Sequence, residues 1–328
     1  MSSAKVLPVR AALLCWAIIM AALTFYGNWI GLGGRPYAVF ACVTGWLLGG
    51  EIILASGGLI EKITARLNRA TGAGLIVAPI LVYWIYATGT PGSFSWGRVG
   101  LATAYALVPT LFAATAGEAP LGCWQDYVSL FVVFFPYWRG WLLQLWVYPD
   151  RRIGWVYSSM FAVQIGIIVF LLVRRVDRSG YSYNWARGWT TVVVGCFLLL
   201  AAVVIPLSVR IHFTRFDLSL ARPKLIVPEL IGVFLFTAWG EEFFFRGLLQ
   251  NALQRTLRNE YLGWAAASVI FGLSHIRHGH FPNWRYVLLA TIAGVIYGFV
   301  WRKTGSMTAS SAVHMAVDVT WRQIFRTL

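Results

Sequence analysis

Apolar residues run along this chain in long blocks separated by short polar or glycine-rich breaks. The clearest blocks fall at about 11–30, 37–60, 73–88, 99–116, 153–173 and 188–209. Each approaches or exceeds the roughly 20 residues a helix needs to cross a bilayer. Shorter or interrupted blocks follow at about 225–239, 262–274, 286–301 and 306–321. The stretch 127–147 is apolar and aromatic but contains Pro136 and Arg139. It reads as a kinked span, a re-entrant piece or an interfacial helix. The pattern predicts an all-α, polytopic transmembrane bundle of eight to eleven helices. The first block follows Lys5 and Arg10 as a signal peptide would. It is nevertheless about as long as a full span and has no convincing small-residue cleavage site, so it reads as a retained helix. Lys and Arg flank both ends of several blocks, so the positive-inside rule does not set an orientation. The polar loop 210–224 predicts a boundary, with N-terminal helices over 1–220 and a second helical set over 221–328.

Composition agrees with the pattern. Of 328 residues, 59% are hydrophobic and only 12% charged, against about 25% charged in a soluble domain. That excludes a disordered chain, a disulfide scaffold, a coiled coil and a cytosolic enzyme. Aromatics reach 16%, including 17 Trp, as interfacial belts require. The net charge of +15 sits in short clusters between apolar blocks, such as Lys62, Arg66 and Arg69, or Arg174, Arg175 and Arg178. This is the pattern of helix ends facing anionic headgroups, and no nucleic-acid partner is expected. The four cysteines, Cys15, Cys42, Cys123 and Cys196, show no CxxC and no metal spacing.

The chain has only 12 acidic residues, so each can be weighed. Glu51, Glu241, Glu242 and Asp318 lie within or against apolar sequence, where an ionisable group marks a functional site by default. Glu51 follows Gly49 and Gly50, and an arginine of another helix is its expected partner. Glu241 and Glu242 open the segment GEEFFFRGLLQNALQR, which reads as one continuous helix. Glu242 and Arg246 are four residues apart and can pair. Two adjacent carboxylates cannot both ionise cheaply in a dry site. One neutralised by arginine leaves the other free to bind or move a proton. His275 ends the apolar run AAASVIFGLSH. His314 lies inside SAVHMAVDV, with Asp318 four residues on and so on the same helical face. His278 and His280 belong to the polar loop RHGHFPNWR and read as loop residues.

Three motifs in order, Glu241-Glu242-x-x-x-Arg246, Phe271-x-x-x-His275 and His314-x-x-x-Asp318, resemble the CAAX protease and bacteriocin-processing family. That family includes type II prenyl-protein endopeptidases and glutamic intramembrane proteases. The segment RKTGSMTASSAVH is similar to the family's link into its last motif helix, and the resemblance covers roughly residues 225–325. It implies an intramembrane endopeptidase acting on a membrane-anchored protein or pro-peptide, expected in a bacterial inner membrane. By matched position, Glu241 would activate water with His275, and Glu242 and Arg246 would hold the helix and tune Glu241. His314 and Asp318 would stabilise the oxyanion. Position 318 departs from the better-known pattern, which has Asn. An ionised Asp cannot donate to an oxyanion, so Asp318 is either protonated or orients His314. No cofactor and no metal are expected. The alternatives are a zinc protease using Glu241, His275 and His314, for which two histidines and a carboxylate suffice, and a non-catalytic membrane scaffold or immunity protein. There is no HExxH, and the polar constellation occupies one half of the chain only.

Overall fold

The computed structural model describes residues 4–328. Nearly all of its regular structure is helical, and the chain divides into two compact units, one of Val6–Asp177 and one built on Arg178–Leu328. The second unit begins upstream of the polar loop and so takes in one helix beyond the expected 221–328. Among the described residues, seven helices are long and apolar enough to cross a membrane.

The first unit contains α1 (Val9–Trp29), α2 (Gly34–Ile52), α3 (Leu59–Arg66), α4 (Arg69–Gly89), α5 (Trp96–Thr115), α6 (Trp124–Trp138) and α7 (Arg151–Val173). The block at 37–60 is not helical throughout. Gly57 and Gly58 take φ of 58° and 64°, a left-handed conformation that glycine adopts without penalty. The chain turns there and leaves α3 as a short amphipathic helix. The block at 127–147 forms α6, with Pro136 in its last turn, and then a 3₁₀ turn over Trp141–Gln144. Tyr83, Tyr86, Trp146, Tyr157 and Phe161 pack their rings into one aromatic core. The Thr44 and Tyr157 hydroxyls meet at 2.6 Å within it.

The second unit contains α8 (Trp189–Arg210), α9 (Pro223–Thr256), α10 (Glu260–Leu273), α11 (Trp284–Thr304) and α12 (Met307–Ile324). The apolar block at 225–239 continues into α9, an unbroken helix of 34 residues. The polar GEE and R-x-x-x-Q positions interrupt hydropathy but not backbone. Two stretches of α9, Phe234–Ala238 and Phe243–Gln250, are π-helical and flank Trp239–Glu242. Such wider turns are rare and concentrate at functional sites. Side-chain caps set the following helices. Asn259 accepts from the Tyr261 and Leu262 amides at the start of α10. Asn283 accepts from Tyr286 N, and Ser306 from Ala309 N, at the starts of α11 and α12. These are favoured N-cap residues because their oxygens satisfy orphan amides. Between α10 and α11, a Cβ on Gly272 would run into the Thr291 side chain and the Val287 carbonyl. Close approach through small residues is how helices associate in lipid. A two-stranded antiparallel ladder closes the unit, with β1 (Thr214–Phe216) pairing β2 (Phe325–Thr327) so that Thr214 faces Thr327 and Phe216 faces Phe325.

Candidate active site

The sequence places Glu241, Glu242 and Arg246 on α9, His275 just past α10, and His314 and Asp318 on α12. The structure gathers Arg246 and His314 around the buried side chain of Glu242, sets Glu241 and Asp318 beside His314, and places His275 against Phe271. Arg246 Nε donates to Glu242 Oε2 at 3.2 Å, one turn apart on α9. His314 Nδ1 lies 3.0 Å from Glu242 Oε1. The Ser310 hydroxyl donates to Glu242 Oε2, and its oxygen also lies 3.0 Å from the Tyr297 carbonyl. The side chains of Glu242 and Arg246 are fully buried and that of His314 is 4% exposed. One carboxylate therefore ties α9 to α12, and the Ser310–Tyr297 contact extends the link to α11.

A carboxylate only accepts, so the contact at 3.0 Å places a proton on His314 Nδ1 and turns Nε2 away from Glu242. On that side Glu241 Oε2 and Asp318 Oδ1 each lie 3.8 Å from Nε2. Both carboxylates are close enough for strong electrostatic interaction and too far for a direct hydrogen bond. The residue that orients His314 is thus Glu242, across the helix interface, and not Asp318 on its own face. Tyr297 stacks on the His314 ring at 4.6 Å with an interplanar angle of 17°, and Phe271 meets it edge-on at 5.8 Å. Phe271 also carries the Arg246 guanidinium over its face at 5.0 Å. The Nη1 and Nη2 groups of Arg246 have no protein hydrogen-bond partner.

His275 Nδ1 lies 2.9 Å from the Phe271 carbonyl. A carbonyl cannot donate, so this nitrogen carries the proton and Nε2 is left as an acceptor. The ring is packed between Phe271, Tyr286 and His278, with centroids 4.8–5.2 Å away. His278 sits in the loop after α10, where burial holds it below the usual imidazole range. Asn283 shapes that loop by donating from Nδ2 to the His278 carbonyl at 2.8 Å. A cavity of about 70 Å³ is lined by Phe271, His275, Tyr286, Tyr297, His314 and Asp318, among others. A water needs roughly 10–15 Å³ on this measure, so the space suits a few water molecules. Glu241 approaches His314 from α9, with its side chain 19% exposed. Among the described residues, no group of three or more His, Cys, Asp and Glu is disposed to hold a metal ion.

All six sequence candidates lie in this one unit and Glu242, Arg246, Glu241, His314 and Asp318 form a continuous cluster. Ser310, Tyr297 and Tyr286 were not singled out by sequence. A signal existed for each. Ser310 is four residues before His314, on the same face. Tyr286 and Tyr297 are eleven residues apart, about three helical turns, and so share a face of α11.

Residues 223–320 match the family model described as type II CAAX prenyl endopeptidase Rce1-like. Over these residues the chain is similar to the CAAX protease and bacteriocin-processing family, which supports the resemblance drawn from the three motifs. With seven candidate spans among the described residues, it is a multi-pass integral membrane protein, and residues 223–320 resemble a family of membrane endopeptidases. Two proteins of Bacillus subtilis (strain 168) are similar to it. The uncharacterized protein YpbD is 26% identical over 177 residues, which cover 54% of this chain and 71% of that protein. The uncharacterized protein YyaK is 27% identical over 175 residues, which cover 48% of this chain and 55% of that protein. No solved structure matches.

Proposed function

We propose that this protein is a glutamic intramembrane endopeptidase that hydrolyses a peptide bond of a membrane-anchored protein or pro-peptide. Residues 221–328 are its catalytic core, and the N-terminal helices of 1–220 are given no role in the chemistry. The observation that carries the reading is the meeting of Glu241, Asp318 and the oriented imidazole of His314, both carboxylates 3.8 Å from Nε2, beside a cavity of water size.

In this mechanism a water in the cavity donates one hydrogen bond to His275 Nε2 and gives its proton to Glu241. The hydroxide attacks the carbonyl carbon of the scissile amide. The developing oxyanion is met by His314 Nε2–H, with Asp318 beside it. A donor at Nε2 together with the Nδ1 proton requires imidazolium, and Glu241 and Asp318 supply the compensating charge. Glu242 and Arg246 fix the geometry: Glu242 orients His314, and Arg246 neutralises Glu242. The C–N bond then breaks as the leaving amine takes the proton from Glu241. A base, a positioned water and donors aimed at the new negative charge are what amide hydrolysis requires.

Glu241→Gln tests this directly, because it keeps the shape and removes the base. Cleavage is expected to fall by about 10²–10⁴-fold or more, with normal yield of the protein. The membrane-anchored protein that accumulates uncut in cells carrying Glu241→Gln is the substrate. Full cleavage by Glu241→Gln would overturn the reading, and activity lost to a chelator and restored by zinc would replace it with a metalloprotease.

A further inference from the structure

The N-terminal unit holds an apolar space that the chemistry above does not use. Helix α1 touches α2 through Trp16, whose Nε1 donates to the Gly45 carbonyl at 2.9 Å. Gly45 and Gly49 have no side chain to fill the gap, and the indole of Trp16 is the nearest group a Cβ on Gly49 would meet. On one side of this crossing is a cavity of about 420 Å³ lined by Trp16, Trp46, Ile53, Ile63, Ala78 and Leu172, among others. On the other side is an apolar groove of about 590 Å³ that shares Trp16, Gly45, Trp46 and Ala78. Both fall within the roughly 300–1,000 Å³ of ligand pockets, and no Asp, Glu, His, Lys or Arg is among the residues that line either.

One end of the first cavity is basic outside. Ile63 lines it from α3, and Lys62 and Arg66 on the same short helix are exposed. The Gly57 amide donates to the Leu7 carbonyl at 2.9 Å. That contact brings the first turn of α1, with exposed Arg10, to the same end. Lys62 Nζ donates to the Gly57 carbonyl at 2.9 Å, which holds the ammonium over the glycine turn. Glu61 is the acid on this helix, so the end carries three cations against one carboxylate. Arg69, further on, is paired with Glu118 at 3.6 Å.

We propose that this is a binding site for an anionic phospholipid, with one acyl chain in the cavity beside Trp16 and the phosphate held by Arg10, Lys62 and Arg66. An apolar cavity lined in part by a short helix that carries exposed Lys62 and Arg66 matches the two ends of such a lipid. The site is independent of the proteolytic one.

The test uses the full chain in neutral detergent, with phosphatidylglycerol or phosphatidylcholine of identical acyl chains added at equal mole fraction. Bound lipid is read by native mass spectrometry, and the thermal midpoint of unfolding is followed in parallel. Phosphatidylglycerol is expected to stay bound at about one per chain and to raise the midpoint, whereas phosphatidylcholine does neither. A Lys62→Gln/Arg66→Gln double substitution should weaken phosphatidylglycerol binding about 30-fold, the effect of two surface cations. Ala78→Trp should fill the cavity and abolish retention of the lipid. Glycerol 3-phosphate, which has the phosphate without the chain, should not compete. Equal retention of the two lipids by the wild-type chain, undiminished binding by the double variant, or full competition by glycerol 3-phosphate would each overturn the proposal. The headgroup comparison on wild type decides even if a variant fails to fold.

Discussion

Among the described residues, each unit holds a buried arginine–carboxylate pair, and the two are built in opposite ways. In the N-terminal unit, Arg174 Nε and Nη2 grip Asp126 at 2.6 and 3.1 Å. Its remaining donors reach the Gly117 and Ala119 carbonyls at 2.8 Å each. Asp126 in turn accepts from the Gly122 and Cys123 amides at 2.9 and 3.3 Å. That pair is bidentate and saturated, and it fastens the loop between α5 and α6 to the end of α7. In the C-terminal unit, Arg246 makes one hydrogen bond to Glu242 at 3.2 Å, and two of its nitrogens have no protein partner. Glu242 is shared with His314 and Ser310. A saturated pair spends its charge on fixing one conformation. An unsaturated pair that shares its anion with an imidazole sets the state of a neighbour. The pairs have the same chemistry, and under the proposed function their surroundings separate a fastener from a piece of machinery.

Breaking the two arginines separately is the sharpest test of that contrast. Arg174→Ala strands Asp126 and should cost about 3–5 kcal/mol, the range for losing one partner of a buried pair. The expected result is poor accumulation in the membrane and a much lower unfolding midpoint. Arg246→Ala leaves Glu242 with His314 and Ser310, so its stability loss should be smaller, about 1.5–3 kcal/mol for one hydrogen bond to a charged group. Cleavage should nevertheless be lost in the protein that does accumulate. Equal loss of yield in both variants would remove the distinction. Ser310→Ala deletes one donor to the shared anion and should slow cleavage about five- to tenfold, with a stability change near 1 kcal/mol. Asp318→Asn should keep the rate within about tenfold, because Glu242 still orients His314 and Glu241 still offsets part of the imidazolium charge. A fall as large as that of Glu241→Gln, read from pH–rate profiles of both variants, would show that the Asp318 carboxylate itself is required.

The helical, membrane-spanning character was legible from block length alone, because every backbone group at that depth must bond within its own segment. The breaks were less legible. The turn at Gly57 and Gly58 lies inside a block that stays apolar, and the continuity of α9 lies inside one that does not. Hydropathy reports side chains, whereas these features are backbone conformations. The candidate residues were legible because ionisable groups are rare here. Their wiring was not. Glu242 pairs with Arg246 at a spacing that sequence displays, but it also binds His314, 72 residues away, a contact set by the packing of α9 against α12. Sequence spacing therefore suggested Asp318 as the candidate orienter of His314, and cross-helix geometry gives that place to Glu242.

Glu242 has two oxygens and three protein donors, and this sharing constrains the way the site can change over time. Positions 242, 246, 310 and 314 form a single cooperative unit, so their substitutions should be strongly non-additive, as expected for residues in one hydrogen-bond network. A replacement at one of them alters the setting in which the other three are selected. Grafting this chemistry onto another bundle would therefore require moving all four together.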